Sequence, residues 1–218
     1  TYQKGENDVH YNDAGRDLLA AKVAEVIGEA LTTSDQPKSD ENAAFWPAKP
    51  SPAHKRILFI AGNTKHRHGV HEYRAGSMLL AKALNESGLP VQAKTHWYGW
   101  PEDESIFDEV DSCVIYADSG GQFGEKYAFL DQMVQNGMGI MFMHYGVHPT
   151  KEIGETYYKK WIGGYYDDAF SVNPSWIADL KPKEGHPIGR GLDSPFKTYD
   201  ELYWLSLIHI SEPTRRYR

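Results

Sequence analysis

The sequence has little cysteine, no long apolar run and no excess of positive charge, and each absence excludes a class of protein. Cys113 is the single cysteine among 218 residues, so an internal disulfide cannot form, and a buried structural thiol is predicted. No apolar run approaches the ~20 residues that a membrane helix needs, so no membrane span is predicted. The net charge of −7 offers no basic face to offset phosphate repulsion, so we predict no nucleic-acid partner.

The chain begins with Thr1 rather than Met, so we expect that the natural N-terminus is missing. The absence of a signal peptide therefore leaves export undecided. The cellular location is unknown from the sequence, with the periplasm or secretion favoured.

Shifts in composition predict three pieces of chain. Residues 1–31 carry apolar residues at helical spacing after Asn12 or Asp13, which predicts an amphipathic helix. Residues 32–55 contain four prolines among many polar residues and are interpreted as a linker. Residues 56–204 form the third piece, in which strand and helix patterns alternate.

That alternation predicts an α/β fold with a doubly wound, mostly parallel sheet covered on both faces. Continuous apolar runs predict buried strands over 56–62, 112–118 and 137–144, and a more exposed strand is predicted over 90–97. Helices are predicted from Glu72 and over 124–136. The stripe expected to face the core from the first helix is Gly76, Leu79, Leu80, Ala83 and Leu84.

In such sheets ligands bind outside the carboxyl ends of the strands, near the point where the strand order reverses. Five of the ten histidines fall in two predicted strand-end loops. Because the runs 56–60, 113–117 and 140–144 are the most apolar, we expect them to be central and adjacent. The loops that follow these three strands would then lie next to one another. These loops hold His66, His68, His71, Asp118, Ser119, His144, Tyr145 and His148.

The stretch GIMFMHYG, residues 139–146, is typical of a buried strand that runs into a tight turn. Several α/β hydrolases and amidotransferases place a Ser or Cys nucleophile at such a turn, whereas this sequence has His144. Cys113 lies inside another strand, so glutaminase chemistry is not expected. Two interpretations of His144 stay open: an acid/base group or ligand, and a hydrogen-bonded core histidine.

The candidate catalytic residues are His144, His66, His71 and Asp118, and the candidate substrate-binding residues are Tyr145, Trp100, Glu72 and Ser119. Asp118 is either a carboxylate of the cleft or the cap of a turn, and Trp100 is either a turn residue or a platform for a sugar. The spacing of the histidines matches no zinc motif, so the cofactor is left unknown. The alternative is a divalent metal on His66, His71 and His144, with Asp118.

Most of residues 56–204 resembles the ThuA-like (trehalose utilisation) family. The motifs that carry the resemblance are ILFIAGNTKHRHGVHEYRAG, GWPEDESIFDEVDSCVIYADSGG, GIMFMHYGVHPTKEIGETYYKKWIGGYY, HPIGRGL and YDELYW. The resemblance implies a fold like that of class I glutamine amidotransferases and a carbohydrate-linked role. The sequence departs from the pattern at Arg67 and His68, where smaller residues are expected, and it stops after DELYW, so we expect a truncated sheet.

Residues 1–31 resemble the last block of SGNH (GDSL-type) hydrolases, which places a catalytic histidine ahead of a C-terminal helix. His10 matches that histidine, while Asp8 stands two residues before it rather than the usual three, where this sequence has Asn7. The resemblance implies the end of an esterase whose Ser nucleophile would lie upstream of Thr1.

Residues 205–215, LSLIHISEPTR, are similar to the translation of a transposase-type sequencing adaptor. We therefore interpret residues 205–218 as a foreign tail and expect the natural sequence to end near Trp204.

Two classes of function remain after these observations. One is an enzyme or former enzyme that acts on sugars or sugar derivatives through a histidine-rich cleft and is fused to an SGNH esterase. The other is a non-catalytic carbohydrate-binding or accessory module attached to that esterase. Both predict a small-molecule carbohydrate as the partner.

Overall fold

A computed structural model describes residue 21 and residues 46–204, apart from 64, 68, 193 and 194. Most of the predicted helix over 1–31, including His10, lies outside the described residues, as do most of the linker and the tail over 205–218. The predictions made for those segments stay predictions.

Four parallel strands form the central sheet, which confirms the predicted fold class. They are β1 (Lys55–Ala61), β2 (Val91–Trp97), β3 (Ser112–Tyr116) and β4 (Gly139–Met143), in the order β2-β1-β3-β4. The register places Cys113 beside Leu58 on one neighbour and beside Ile140 on the other.

The remaining elements flank or extend the sheet. The helices are α1 (Tyr73–Glu86), α2 (Lys126–Gln135), α3 (Lys151–Ile153) and α4 (Lys159–Ile162), with a π-helical turn over Gly154–Tyr158 between the last two. Short 3-10 turns span Glu104–Phe107, Asp118–Gly121, His144–Val147 and Pro187–Gly189. An antiparallel hairpin joins β5 (Ser175–Leu180) and β6 (Phe196–Glu201).

The sheet buries apolar side chains on both faces because successive side chains of a strand point to opposite sides. The larger core cluster contains Leu58, Ile60, Cys113 and Ile115 from the strands, Tyr127 and Leu130 from α2, and Tyr158 from the π-helical turn. The smaller cluster joins Phe59 and Val114 to Ala81 of α1. The helices thus cover opposite faces, as a doubly wound fold requires.

The apolar stripe predicted for α1 is wrong in part. The helix buries Tyr73, Ser77 and Ala81, whereas Leu79 and Leu80 are 47% and 37% exposed. Residues four apart share one helix face, so the buried row 73–77–81 is one face that includes a polar residue, and hydrophobicity alone does not reveal it.

Strand β4 lies at an edge of the four described strands rather than in the centre, although it is adjacent to β3 as predicted. Met141 of this strand is 53% exposed. Apolar content indicated which strands are neighbours but did not distinguish a central strand from an edge strand.

Trp46 lies within the segment that the sequence assigned to a linker, yet its side chain is buried in the larger core cluster. Its indole N–H donates to the carbonyl oxygen of Ile106 at 2.6 Å. Packing against the fold therefore begins before residue 56.

Candidate functional site

The carboxyl ends of β1, β3 and β4 bring three segments together. These segments are residues 62–72, the turn Asp118–Gly121 and the turn His144–Val147. From β1 the chain passes to β2, which lies on one side of β1, and then returns to β3 and β4 on the other side. The strand order therefore reverses between β1 and β3. A crevice at such a point is where open α/β sheets bind ligands.

Gly62 allows the first of these segments to start close against β3. A Cβ atom at this position would lie 2.3 Å from the Cβ of Ala117, a distance that no side chain tolerates. The Gly62 N–H also donates to the carbonyl oxygen of Tyr116 at 3.0 Å. The glycine therefore sets where residues 62–72 begin relative to Asp118.

Asp118 is the buried anion of the site, with 7% of its surface exposed. Its Oδ1 accepts a hydrogen bond of 2.5 Å from the Tyr73 hydroxyl, and its Oδ2 accepts one of 2.9 Å from the backbone N–H of Lys65. The Nε2 atom of His66 lies 3.4 Å from Oδ1. All three of these partners belong to residues 62–73. The Asp118 carboxylate therefore contacts the loop after β1 and the start of α1 rather than the turn that Asp118 begins.

Tyr73 keeps its proton in this arrangement. Burial raises the pKa of its hydroxyl, and the adjacent Asp118 carboxylate raises it further. Sequence reasoning missed Tyr73. Its position at the start of the helix that follows the loop, directly after Glu72, could have indicated that it lies at the site.

His71 and His144 face each other across the crevice. Their Nε2 atoms are 3.0 Å apart, so one ring must donate the proton and the other must accept it. His66 packs edge-on against His71, with ring centroids 3.9 Å apart. We call His66, His71, His144 and Asp118 the histidine cluster.

His144 has a backbone φ of 48°, in the left-handed region that non-glycine residues rarely adopt. Strained residues of this kind concentrate at functional sites, where the surrounding structure holds them. The turn begins at this residue, and the side chain is exposed rather than part of the core. Of the two interpretations left open by the sequence, a core histidine does not fit this placement.

Aromatic rings extend the site beyond the histidine cluster. The Tyr145 ring lies nearly parallel to that of His71 at 6.2 Å and perpendicular to that of His148 at 5.2 Å. Tyr203 lies 5.6 Å from the His144 ring and 5.3 Å from that of Tyr166. Sequence reasoning missed Tyr166 and Tyr203 because neither directly follows a predicted strand.

A cleft of about 470 Å³ opens beside the cluster. Its lining is His144, Val147, Asp200, Glu201 and Tyr203, and we call it the acidic cleft. Burial raises the pKa of the Tyr203 hydroxyl, and Glu201 raises it further, so the phenol stays neutral. The cleft therefore combines an imidazole, a neutral phenol and two carboxylates.

The other predicted residues have separate placements. Glu72 accepts a 2.5 Å hydrogen bond from the Gly69 N–H and so fixes the loop before α1. Ser119 is half-buried with a φ of 47°. Trp100 does not join the histidine cluster: its ring packs against Phe107 at 5.1 Å, and its N–H donates to Glu104 at 3.0 Å. His68 lies outside the described residues.

Cys113 is fully buried in β3, and burial raises the pKa of its thiol to about 12. It cannot supply a thiolate at the carboxyl edge of the sheet. The thiol chemistry of glutamine amidotransferases therefore has no nucleophile among the described residues.

Three members of the cluster also meet the spacing of a metal site. One possible ligand atom from each of His66, His71 and Asp118 lies within 4.8 Å of the other two. Two imidazoles and a carboxylate form a donor set that suits transition-metal cations.

Tyr158 contacts two of the strand-end turns from the core. Its buried hydroxyl lies 3.3 Å from the carbonyl oxygen of Gly120 and 3.2 Å from that of Gly146. The turn that carries Asp118 and the turn that carries His144 therefore share one anchor in the core.

Comparison with known proteins assigns this architecture to a family. The family model described as "ThuA: Trehalose utilisation" matches residues 56–215, which include the segment interpreted above as an adaptor-derived tail. No curated protein matches the chain. A crystal structure of a ThuA-like protein from Bacteroides uniformis ATCC 8492 has 18% sequence identity and a TM-score of 0.49. The similarity covers 73% of this chain and 64% of that one. In the described part of the chain, no helix has the length and apolarity needed to cross a bilayer.

Proposed function

Because this chain belongs to the ThuA, or trehalose utilisation, family, we propose that it is an enzyme that acts on sugars or sugar derivatives at the histidine cluster. The observation that carries the proposal is the 3.0 Å approach of His71 and His144 at the mouth of the acidic cleft. The family supplies the carbohydrate-related role, and the chemistry comes from the cluster.

The imidazole pair is suited to general acid–base catalysis. Two Nε2 atoms at 3.0 Å share one proton, because two protonated rings would repel and two unprotonated nitrogens could form no hydrogen bond. Imidazole exchanges protons near neutral pH, which makes it the commonest acid–base group in enzymes. His144 is exposed and lines the cleft, so it would contact the substrate while His71 acts as its proton partner.

The acidic cleft is suited to a polyhydroxylated ligand. Asp200 and Glu201 can accept hydrogen bonds from sugar hydroxyls, and the Tyr203 ring offers a flat apolar surface beside them. A volume of about 470 Å³ lies within the usual range of small-molecule sites. We therefore place the sugar in the acidic cleft, with its hydroxyls on Asp200 and Glu201 and with the Tyr203 ring and His144 along one side of it. Tyr145 would lie at the border of the sugar.

The test is a screen by proton NMR of the full chain against trehalose, other disaccharides and their keto derivatives in D2O. Conversion of a sugar, or exchange of a carbon-bound proton for deuterium, would support acid–base catalysis. His144→Asn should abolish the change, while His186→Gln, which removes a histidine outside the cluster, should leave it intact. Saturation transfer without conversion would instead favour the non-catalytic carbohydrate-binding module. The fusion to an SGNH esterase stays a separate proposal, since His10 lies outside the described residues.

A further inference from the structure

We infer that His66, His71 and Asp118 form a binding site for a divalent transition-metal cation, for which Zn²⁺ is the probe. Their ligand atoms lie within 4.8 Å of one another although no sequence motif brings them together. The role of the cation in catalysis rests on the proposed function, whereas its binding does not.

The spacing needs little adjustment to close around a metal. Zinc binds imidazole nitrogens at ~2.0–2.1 Å and carboxylate oxygens at ~2.0–2.2 Å, so neighbouring ligands of a tetrahedral site lie roughly 3.4 Å apart. The His66 Nε2 and Asp118 Oδ1 atoms already lie 3.4 Å apart. Because the His66 side chain is 40% exposed, a small rotation of an accessible ring can complete the approach.

Asp118 is held in the way that metal-binding carboxylates are held. The Tyr73 hydroxyl and the Lys65 N–H each donate to one of its oxygens. A carboxylate has about four lone-pair sites, so two hydrogen bonds leave acceptor capacity for a cation. Outer partners of this kind fix the orientation of a ligand before the metal arrives.

The charge balance also favours a cation. Asp118 is 7% exposed, and its ion-pair partner among the described residues is His66, which is charged only when it is protonated. A buried carboxylate that faces imidazoles needs a positive charge to offset the cost of leaving water. A divalent ion would supply such a charge.

The donor set selects which cation binds. Two imidazoles with one carboxylate suit zinc, iron, cobalt or nickel, whereas magnesium and calcium prefer oxygen ligands. With three protein ligands, a coordination position stays open for water or substrate. The site would therefore be of the catalytic rather than the closed structural type.

A bound cation would also set the direction of the His71–His144 hydrogen bond. An imidazole that coordinates a metal through Nδ1 carries its proton on Nε2. His71 bound in this way would donate that proton to His144, whose Nε2 lies 3.0 Å away. His144 would then be the base that faces the cleft.

The experiment is isothermal titration of ZnCl2 into the full chain, purified without a histidine tag and freed of metal by chelation. The expected result is one equivalent of Zn²⁺ bound with micromolar or tighter affinity, and no heat of binding with MgCl2. Both His66→Gln and Asp118→Asn should weaken binding by about tenfold or more. His186→Gln removes a histidine outside the cluster and should leave the affinity unchanged.

His66→Gln keeps the test decisive if Asp118→Asn fails to fold, because His66 is exposed. Absence of zinc binding, or equal weakening in His186→Gln, would overturn the inference. The sugar screen, run with metal-free and zinc-loaded protein, separates the two proposals. Zinc binding without conversion would count against the proposed function alone, and conversion by metal-free protein that binds no zinc would count against the metal site alone.

Discussion

His71 and His144 are 73 positions apart in the sequence, yet their Nε2 atoms lie 3.0 Å from each other. His71 lies near the end of the loop after β1, and His144 begins the turn after β4. Parallel strands bring their carboxyl ends to one edge of a sheet, which is how such distant residues come into contact.

Replacing His144 should remove activity while leaving the fold intact. We expect His144→Asn to lower the rate of sugar conversion by about 100-fold or more, because general acid–base groups contribute at least that much. Asn tolerates the left-handed backbone of this position, and the side chain is exposed, so the free energy of unfolding should change by less than about 0.5 kcal/mol. Full activity in a folded His144→Asn variant would contradict the assigned role.

Removing the Tyr73 hydroxyl should destabilise the protein by leaving Asp118 with one partner fewer. Tyr73→Phe is expected to lower the free energy of unfolding by about 1–3 kcal/mol, measured by urea denaturation. Tyr116→Phe is the matched control, since it removes the hydroxyl of a neighbouring half-buried ring 4.8 Å from that of Tyr73. Equal losses in the two variants would mean that the bond to Asp118 adds no stability.

The Cys113 thiol should be unreactive in the folded protein. Burial raises its pKa to about 12, so almost no thiolate exists at pH 8. Ellman's reagent should label less than one tenth of the protein over an hour in native buffer and one thiol per chain in guanidinium. Rapid labelling of the native protein would show that β3 opens readily or that the thiol is accessible.

His96 should make the fold less stable in mild acid. Burial lowers the pKa of its ring below the usual value of 6.5, and the charge of Lys94 lowers it further. The unfolded chain then binds the proton more tightly than the folded chain, so stability falls as the pH drops below about 6.5. Urea midpoints at about pH 7.5 and about pH 5.5 should differ more for wild type than for His96→Gln. An equal difference in both proteins would exclude His96 as the cause.

Adding one methyl group at Gly62 should disturb the site through packing. The new Cβ atom would lie 2.3 Å from that of Ala117, so either β3 or residues 62–72 must move. We expect Gly62→Ala to cost about 1–3 kcal/mol by urea denaturation and to weaken zinc binding. Gly139→Ala is the milder control, because its nearest atom is the Ser112 hydroxyl oxygen at 3.2 Å. A Gly62→Ala variant as stable as wild type would show that the loop can shift freely.

The sequence predicted the parallel sheet because its strands are continuous apolar runs, and it placed the histidines and Asp118 at strand ends for the same reason. It predicted the wrong face for part of α1, since the buried row contains Ser77 while exposed positions carry Leu79 and Leu80. Gly76, a member of the predicted stripe, does face the sheet, since a Cβ at this position would lie 2.9 Å from the Tyr116 ring.

The parts of the site that the sequence did not indicate depend on tertiary contacts. Tyr203 follows β6, and among the described residues that strand pairs with β5 alone, so the place of Tyr203 beside His144 depends on how the hairpin docks. The sequence allows Trp100 to be either a turn residue or a platform for a sugar, and its ring packs in an aromatic group with Phe107 and Phe123. Local sequence does not specify which partner an aromatic ring finds.

The shared anchor at Tyr158 restricts how the site can respond to a ligand. Because one buried hydroxyl lies within 3.3 Å of carbonyl oxygens from both turns, the turn that carries Asp118 and the turn that carries His144 resist moving separately. A ligand that binds there loses little free energy to ordering these two side chains, so more of its contact energy is available for affinity.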